Sequence, residues 1–184
     1  MIILVILLVL IVMVLLAVVG IYNNLVTLRE LVKNGWSQID VQLKRRHDLI
    51  PNLVETAKGY MAHERETLEG VIRARQQAVD TKNLKDKQQA ENFLTGTLRS
   101  LFAVSENYPN LKADAHMRQL MEELTTTENK IAFARQYYND EVNRLNTAVQ
   151  SFPNNIVAGV FIFTKADFFE IEDAAEKKAP EVKF

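Results

Sequence analysis

The chain contains no cysteine, three histidines, one tryptophan and four prolines among 184 residues. Each scarcity excludes something. Without cysteine there is no disulfide, no lipoprotein acylation and no thiol nucleophile. The residues three before His47, His63 and His116 are Lys44, Tyr60 and Ala113, so the Glu-x-x-His pairs of a di-iron bundle are missing. His63-Glu64 opens like a metalloprotease helix, but position 67 is Thr where a second histidine is required. No phosphate-cradling glycine loop, Gly-x-Ser-x-Gly elbow or calcium-loop spacing of acids occurs. An excess of one charge is lacking too. The 22 basic and 23 acidic side chains give a pI near 6.3 and no general attraction to nucleic acid or anionic lipid. These absences predict a protein that is not an enzyme. They also predict no cofactor, no metal, no nucleic acid and no small-molecule substrate.

What the chain has in quantity is apolar sequence, unevenly spread. Residues 2–19, IILVILLVLIVMVLLAVV, and the following Gly20 and Ile21 carry no polar side chain. As a helix the run spans roughly 30 Å, the thickness of a hydrocarbon core. A cleaved signal peptide would show a basic residue before a core of roughly 7–15 apolar residues. Only Met1 precedes this longer run, so it reads as an uncleaved anchor, residues 1–22, with the lipid bilayer as its partner. One apolar helix without an internal charge does not make an ion pathway. Arg29, Lys33, Lys44, Arg45 and Arg46 follow the anchor, and positive-inside logic places the C-terminal domain in the cytoplasm.

The rest reads as helices. From 22 to 79, Leu25, Leu28, Val32, Trp36, Ile39, Leu43, Ile50, Leu53, Ala57 and Tyr60 recur at three- and four-residue steps, interrupted at Arg46. Gly35, Pro51, Gly59 and Gly70 are its weak points. A polar turn at 79–87 precedes a helix over 86–106, broken by Asn107-Tyr108-Pro109-Asn110. Then Met117, Met121, Leu124, Glu128, Ile131, Arg135, Tyr138, Val142, Leu145 and Val149 form a coiled-coil-like heptad seam, ended by Ser151-Phe152-Pro153. The tail around Ile156–Phe169 is too apolar to be free in water; it packs on the bundle or lies on the membrane, with packing preferred. The reading is all-α: a single transmembrane helix continuing into an elongated antiparallel bundle over 23–170, with a C-terminal tail at 171–184.

The block QLKRRHDLIPNLVET (42–56) poses the sharpest question. Consecutive helical residues point about 100° apart, so Lys44, Arg45, Arg46 and His47 share no face. Arg46 falls near the apolar seam and is predicted to turn inward, where a charge needs a partner such as Glu128. A phosphate-binding surface would need a wider basic field with aromatic interleaving. Asp48 is either the N-cap of a new helix at Leu49 or part of a continuing helix kinked at Pro51; the register at Ile50 and Leu53 favours the kink. On the long helix Arg135, Tyr138, Asn139, Asn143 and Asn146 form a second polar set. The three asparagines line one face, as an ordinary polar face or as a hydrogen-bonded layer fixing register.

Taken together, YNNLVTLRELVKNGWSQIDVQLKRRHDLIPNLVETAKGYMAHERETLE, SENYPNLKAD, TENKIAFARQYYNDEVNRLNTAVQSFP and FFEIEDAAEKKAPEVKF resemble the LemA family of bacterial membrane proteins over essentially the whole chain. Gly35 stands where the family commonly has Ala, a departure predicted to loosen the helix there. The resemblance implies one anchor in the bacterial inner membrane, a helical bundle, no established enzymatic activity and a role in membrane organisation. The function expected is a non-enzymatic scaffold, homo-oligomeric, that organises or remodels the membrane. The alternative is a signalling or adaptor module presenting its bundle to a membrane protein partner such as an envelope-stress protease.

Overall fold

The computed structural model describes residues 1–81 and 83–169. Among the described residues six helices follow one another: α1 (Ile2–Lys58), α2 (Arg65–Asp80), α3 (Leu84–Ser105), α4 (Pro109–Ala113), α5 (Ala115–Gln150) and α6 (Asn154–Val160). No strand occurs among the described residues, the β-like VAGVFIFT run included. The tail expected at 171–184 lies outside the described residues.

α1 is a single helix of 57 residues, and it passes through Asp48 and Pro51 without a break. Asp48 is therefore a mid-helix surface residue and not an N-cap. The helix expected over 22–79 is instead two. α1 stops beside Gly59, a poor helix former, and the turn drives Met61 fully into the core. Tyr60 OH then donates to Asp114 Oδ2 at 3.0 Å, fixing the turn before α2 begins. Asp114 itself caps α5: its Oδ1 accepts from the Met117 N–H at 2.9 Å, one of the N–H groups a helix start leaves orphaned. α3 is capped likewise by Asn83, which accepts from the Lys85 N–H. Pro109 starts α4, where its missing N–H is not needed.

The chain forms two compact units. One is built from Val41–Ile131. Its core joins Ile50, Leu53, Ala57 and Met61 to Leu68, Val71, Leu94, Leu98, Leu101, Met117 and Leu124. α2 and α3 pack against each other within it.

The other unit is built from Met1–Asp40 and Ala132–Phe168. Leu25, Val157, Ala158 and Phe163 form its buried cluster, with Val18, Ile21, Val26, Ala148 and Val149 against them. At Gly35 a Cβ would sit 3.1 Å from the Tyr138 Cα, so this glycine marks a close approach of α1 and α5. Trp36 meets the Tyr138 ring edge-on at 5.8 Å just beyond it.

The heptad seam of α5 is used within the chain itself. Met117, Leu124 and Ile131 are buried, as are Arg135, Tyr138, Val142 and Leu145. Packing accounts for only part of the apolar tail: Val157, Ala158 and Phe163 are buried, while Ile156, Val160, Phe161, Ile162 and Phe168 stay exposed.

Candidate functional site

The polar centre of the Val41–Ile131 unit is Arg46. Its side chain is 1% exposed, although it is flanked by the exposed Lys44 and Arg45. One turn of seam on either side, Leu43 and Ile50, is fully buried, and the 3.6-residue period carries Arg46 inward with them. Arg46 Nη1 donates to Glu128 Oε2 at 2.5 Å and to Thr95 Oγ1 at 2.8 Å. Arg46 Nη2 donates to Glu91 Oε2, also at 2.5 Å. Thr95 in turn donates to Glu128 Oε1 at 3.2 Å. His47 Nε2 lies 3.0 Å from Glu91 Oε1 and completes the set.

The guanidinium thus bridges α1 to α3 and α5, with one carboxylate fully buried and the other a third exposed. Burial pushes the Glu91 carboxyl up, but the His47 hydrogen bond and the Arg46 charge outweigh it and hold the group below its ordinary value. Two carboxylates on one permanent cation make a tightly paired structural cluster. Two polar atoms of the cluster, Arg46 Nε and Glu91 Oε1, are buried without a hydrogen bond. A shallow pocket of about 140 Å³ reaches Arg46, Thr95 and Glu128 from outside, between Arg99, Phe102 and Asn129.

Pro51 has a partner in this network. A proline cannot donate to the carbonyl four residues before it, here that of His47. The freed His47 oxygen accepts a 2.7 Å hydrogen bond from Arg75 Nε of α2. The helix therefore continues through Pro51, and the carbonyl it opens becomes an attachment point for a neighbour.

The Met1–Asp40 and Ala132–Phe168 unit also buries Arg135 and Glu141, the latter paired with Arg144 at 3.0 Å, and two neutral groups in it hold one segment. Asn146, 8% exposed, donates from Nδ2 to the Ala166 carbonyl and accepts at Oδ1 from the Ala166 N–H, both at 2.9 Å. Its amide thereby pairs with an irregular segment as a backbone peptide would. Tyr138 OH donates to the Asp167 carbonyl at 2.9 Å. Burial, and then the Asp167 charge, raise the Tyr138 phenol above its ordinary value.

Among the residues singled out from sequence, Arg46 and Glu128 come together, and Tyr138 and Asn146 hold one segment. Arg45 is half exposed and only 3.8 Å from Glu123. Asp48 and Pro51 are exposed, and Arg135 is buried. The three asparagines do not form one layer. Asn143 is exposed, Asn139 is half-buried and only Asn146 is buried, because the segment that accepts it reaches one end of that face. Glu91 and Thr95 were missed. Glu91 carried a signal, since Glu91, Leu94, Leu98 and Leu101 step by 3-4-3 and place a carboxylate on an apolar seam.

Elsewhere, an open groove of about 560 Å³ lies between the end of α1 and α2, lined by Val54, Met61, Leu68 and Ile72 with Lys58, Arg65, Glu69 and Arg73; Arg65 pairs with Glu69 at 2.9 Å and Lys58 with Glu55 at 3.0 Å. Among the described residues no group of three or more His, Asp or Glu is placed to hold a metal ion.

Comparison with known proteins adds the following. The model of the LemA family matches residues 35–184. "Magnetosome protein MamQ 2" of Paramagnetospirillum magneticum is 24% identical, over 84% of this chain and 66% of its own length. "Magnetosome protein MamQ" of Magnetospirillum gryphiswaldense is 23% identical with the same coverage. "Protein LemA" of Metamycoplasma hominis is 27% identical over 76% of this chain and 64% of its own. The chain thus spans about two thirds of the length of these curated relatives.

Proposed function

The chain belongs to the LemA family, and on that premise we propose that it is a non-enzymatic, membrane-anchored scaffold that works as a homo-oligomer to organise or remodel the bacterial inner membrane. The observation that carries this reading is the continuity of α1. One helix holds both a lipid-length run whose side chains from Ile2 to Ala17 are exposed and the residues Leu25, Val32 and Ile39 of a protein core. Such a helix, some 85 Å long at 1.5 Å per residue, leaves no flexible linker between lipid and protein. The boundary at residue 22 is then a change of surroundings and not of fold, with residues 23–170 forming the domain outside the bilayer. The most concentrated charges of the Val41–Ile131 unit are consumed in holding helices together, which suits a structural role. The magnetosome names of two relatives point the same way, toward work on a membrane compartment.

Since the α5 seam is buried within the chain, copies must meet through other surfaces. Light scattering on the detergent-extracted full chain tests the oligomer: a particle of several copies is expected, and a strict monomer overturns it. Orientation is tested at Lys85→Cys, the chain having no native cysteine. Protection from a membrane-impermeant thiol reagent in intact cells is expected for a cytoplasmic domain; labelling from outside reverses the assignment.

The groove beside α2, whose lining is part apolar and part charged, favours a second reading, an adaptor for a partner protein. Arg65→Glu with Arg73→Glu would then strip a co-purifying partner from the full chain while the oligomer persists.

A further inference from the structure

The exposed apolar tail residues cluster at one place in the fold. Phe152, Ile156, Val160, Phe161 and Ile162 are 81, 59, 70, 49 and 82% exposed, five large apolar side chains within eleven residues of chain. Around them, from Leu145 to Thr164, the sequence holds no charged residue. α6 presents Ile156 and Val160 on one face, a helical turn apart. Its opposite side, Val157 and Ala158, is buried against Leu25.

Where α6 is docked matters more than its composition. It packs on α1 at Leu25, with Val18, Ile21 and Val26 against the same cluster. Val18 and Ile21 belong to the apolar run of residues 2–21, and among the described residues they are the two positions of that run that are half-buried. Tyr22, the first residue after the run, lies 4.8 Å from the Phe161 ring and 5.8 Å from the Phe163 ring. α6 therefore straddles the level at which the lipid-length segment ends. Aromatic residues at that level favour the headgroup boundary. Arg29 covers the Phe163 ring at 5.2 Å, and Lys165 follows the tip in sequence.

Ile162 adds an independent observation. Its φ is +57°, the left-handed region, and the Phe163 N–H bonds the Ala158 carbonyl at 2.9 Å. This is a helix C-cap of the kind that glycine ordinarily fills. A β-branched residue there is strained by roughly 1–2 kcal/mol, and Ile162 is also the most exposed of the five. Within the fold its side chain offsets none of that strain. The strain is explained if the side chain is used outside the protein.

We propose that the α6 tip, Phe152 to Ile162, is a second membrane contact, monotopic, that sets Phe152, Ile156, Val160, Phe161 and Ile162 into the headgroup–acyl boundary of the leaflet from which α1 emerges. The bilayer is the occupant because the patch is continuous with the α1 surface that already faces lipid. The tip and α1 together then fix the tilt and rotation of the domain on the membrane, which one helix alone would leave free. This rests on the membrane-anchored reading above.

The test uses the full chain in liposomes of neutral phospholipid, with a spin label at Ile156→Cys or Ile162→Cys. Both positions are exposed, so the label does not disturb the core. Collision with oxygen, which concentrates in lipid, is compared with collision with a water-soluble nickel chelate. Leu10→Cys provides the lipid reference and Lys85→Cys the water reference. At the two tip sites the oxygen-to-nickel ratio is expected to exceed that at Lys85→Cys by about tenfold, as for interfacial helices buried roughly 5–10 Å. A ratio equal to that at Lys85→Cys places the tip in water and overturns the proposal. Low collision with both reagents means that protein covers the tip, as in a contact between copies, and overturns it as well. A Leu10→Cys site that fails to show the lipid signature removes the anchor reading itself, and the proposal with it.

Discussion

One polar cluster in each compact unit satisfies its buried groups by opposite means. In Val41–Ile131 the Arg46 guanidinium is clamped by Glu91 and Glu128 from two other helices, with Thr95 and His47 filling in. In the unit that contains the anchor, Asn146 and Tyr138 hold one irregular segment through neutral hydrogen bonds to its backbone. A clamp of full charges strongly penalises loss of one member, because the remaining charges stay buried. An amide clasp loses only its own hydrogen bonds. The Arg46 cluster should therefore tolerate complete replacement better than partial damage, and the Asn146–Tyr138 clasp should lose stability in proportion to what is removed.

Breaking the charged side of the comparison gives the largest effect. Arg46→Ala leaves Glu91 buried without its cation and is expected to cost about 3–5 kcal/mol. At roughly 2–4 °C per kcal/mol for a domain of this size, thermal unfolding in detergent should fall by about 6–20 °C. The triple change Arg46→Met, Glu91→Leu, Glu128→Leu should return the melting temperature to the wild-type value or above it. If the triple variant is as damaged as Arg46→Ala, the cluster is more than a structural clamp. A ligand reading would return if Arg46→Ala kept its melting temperature yet lost a partner.

On the neutral side, Asn146→Ala strands the N–H and C=O of Ala166 and should cost about 2–3 kcal/mol, near 1–1.5 for each group. Hydrogen exchange at the Ala166 amide should accelerate, while the core amides of α3 keep their protection. Asn143→Ala, at an exposed position on the same helix, should stay within about 0.5 kcal/mol. Equal losses at the two asparagines would revive the single polar layer.

That pair of asparagines shows how far sequence reading reaches. The helices and the apolar anchor follow from periodicity and run length, both local properties. The inward turn of Arg46 follows too, because Leu43 and Ile50 define a seam on which it sits. Glu91 was within reach by the same logic, as the polar member of the Leu94–Leu98–Leu101 stripe. The fate of Asn146 was not. Helical spacing gives Asn139, Asn143 and Asn146 one face, but the segment around Ala166 has no period, so nothing local says which of the three it meets. The exposed tip at Ile162 was hidden for the same reason: composition cannot separate an apolar residue that packs from one that does not.

Glu91 and Tyr138 should also lose their contributions at opposite ends of the pH scale. Glu91 titrates below its ordinary value in the fold, so its contribution is present above the unfolded value of 4.5 and is lost as pH falls through the folded one. Tyr138 titrates above its ordinary value, so its contribution is present below 10.0 and is lost as pH rises through the raised one. Glu91→Gln should flatten the acid limb of a stability profile and leave the alkaline limb intact. Tyr138→Phe should do the reverse, with a cost near neutrality of about 0.5–1.5 kcal/mol for the lost hydrogen bond. An acid limb that survives Glu91→Gln unchanged would assign acid sensitivity to other carboxylates.

The smallest effect probes how the charged unit came to have an open carbonyl at all. Pro51 withholds the N–H that His47 O would otherwise receive, and Arg75 supplies the replacement. In wild type, Arg75→Ala leaves that oxygen unpaired. In a Pro51→Ala background the restored helical N–H can take it, so the arginine should matter less. A double-mutant cycle between the two positions should therefore give a coupling of about 1 kcal/mol, inside the range of roughly 0.5–3 seen for residues sharing a network. Additive losses would mean that the His47 oxygen does not depend on Arg75, and that Pro51 is tolerated in α1 without a compensating partner. No equivalent coupling is expected for Asn146 with Tyr138, because each bonds a different residue of the segment it holds.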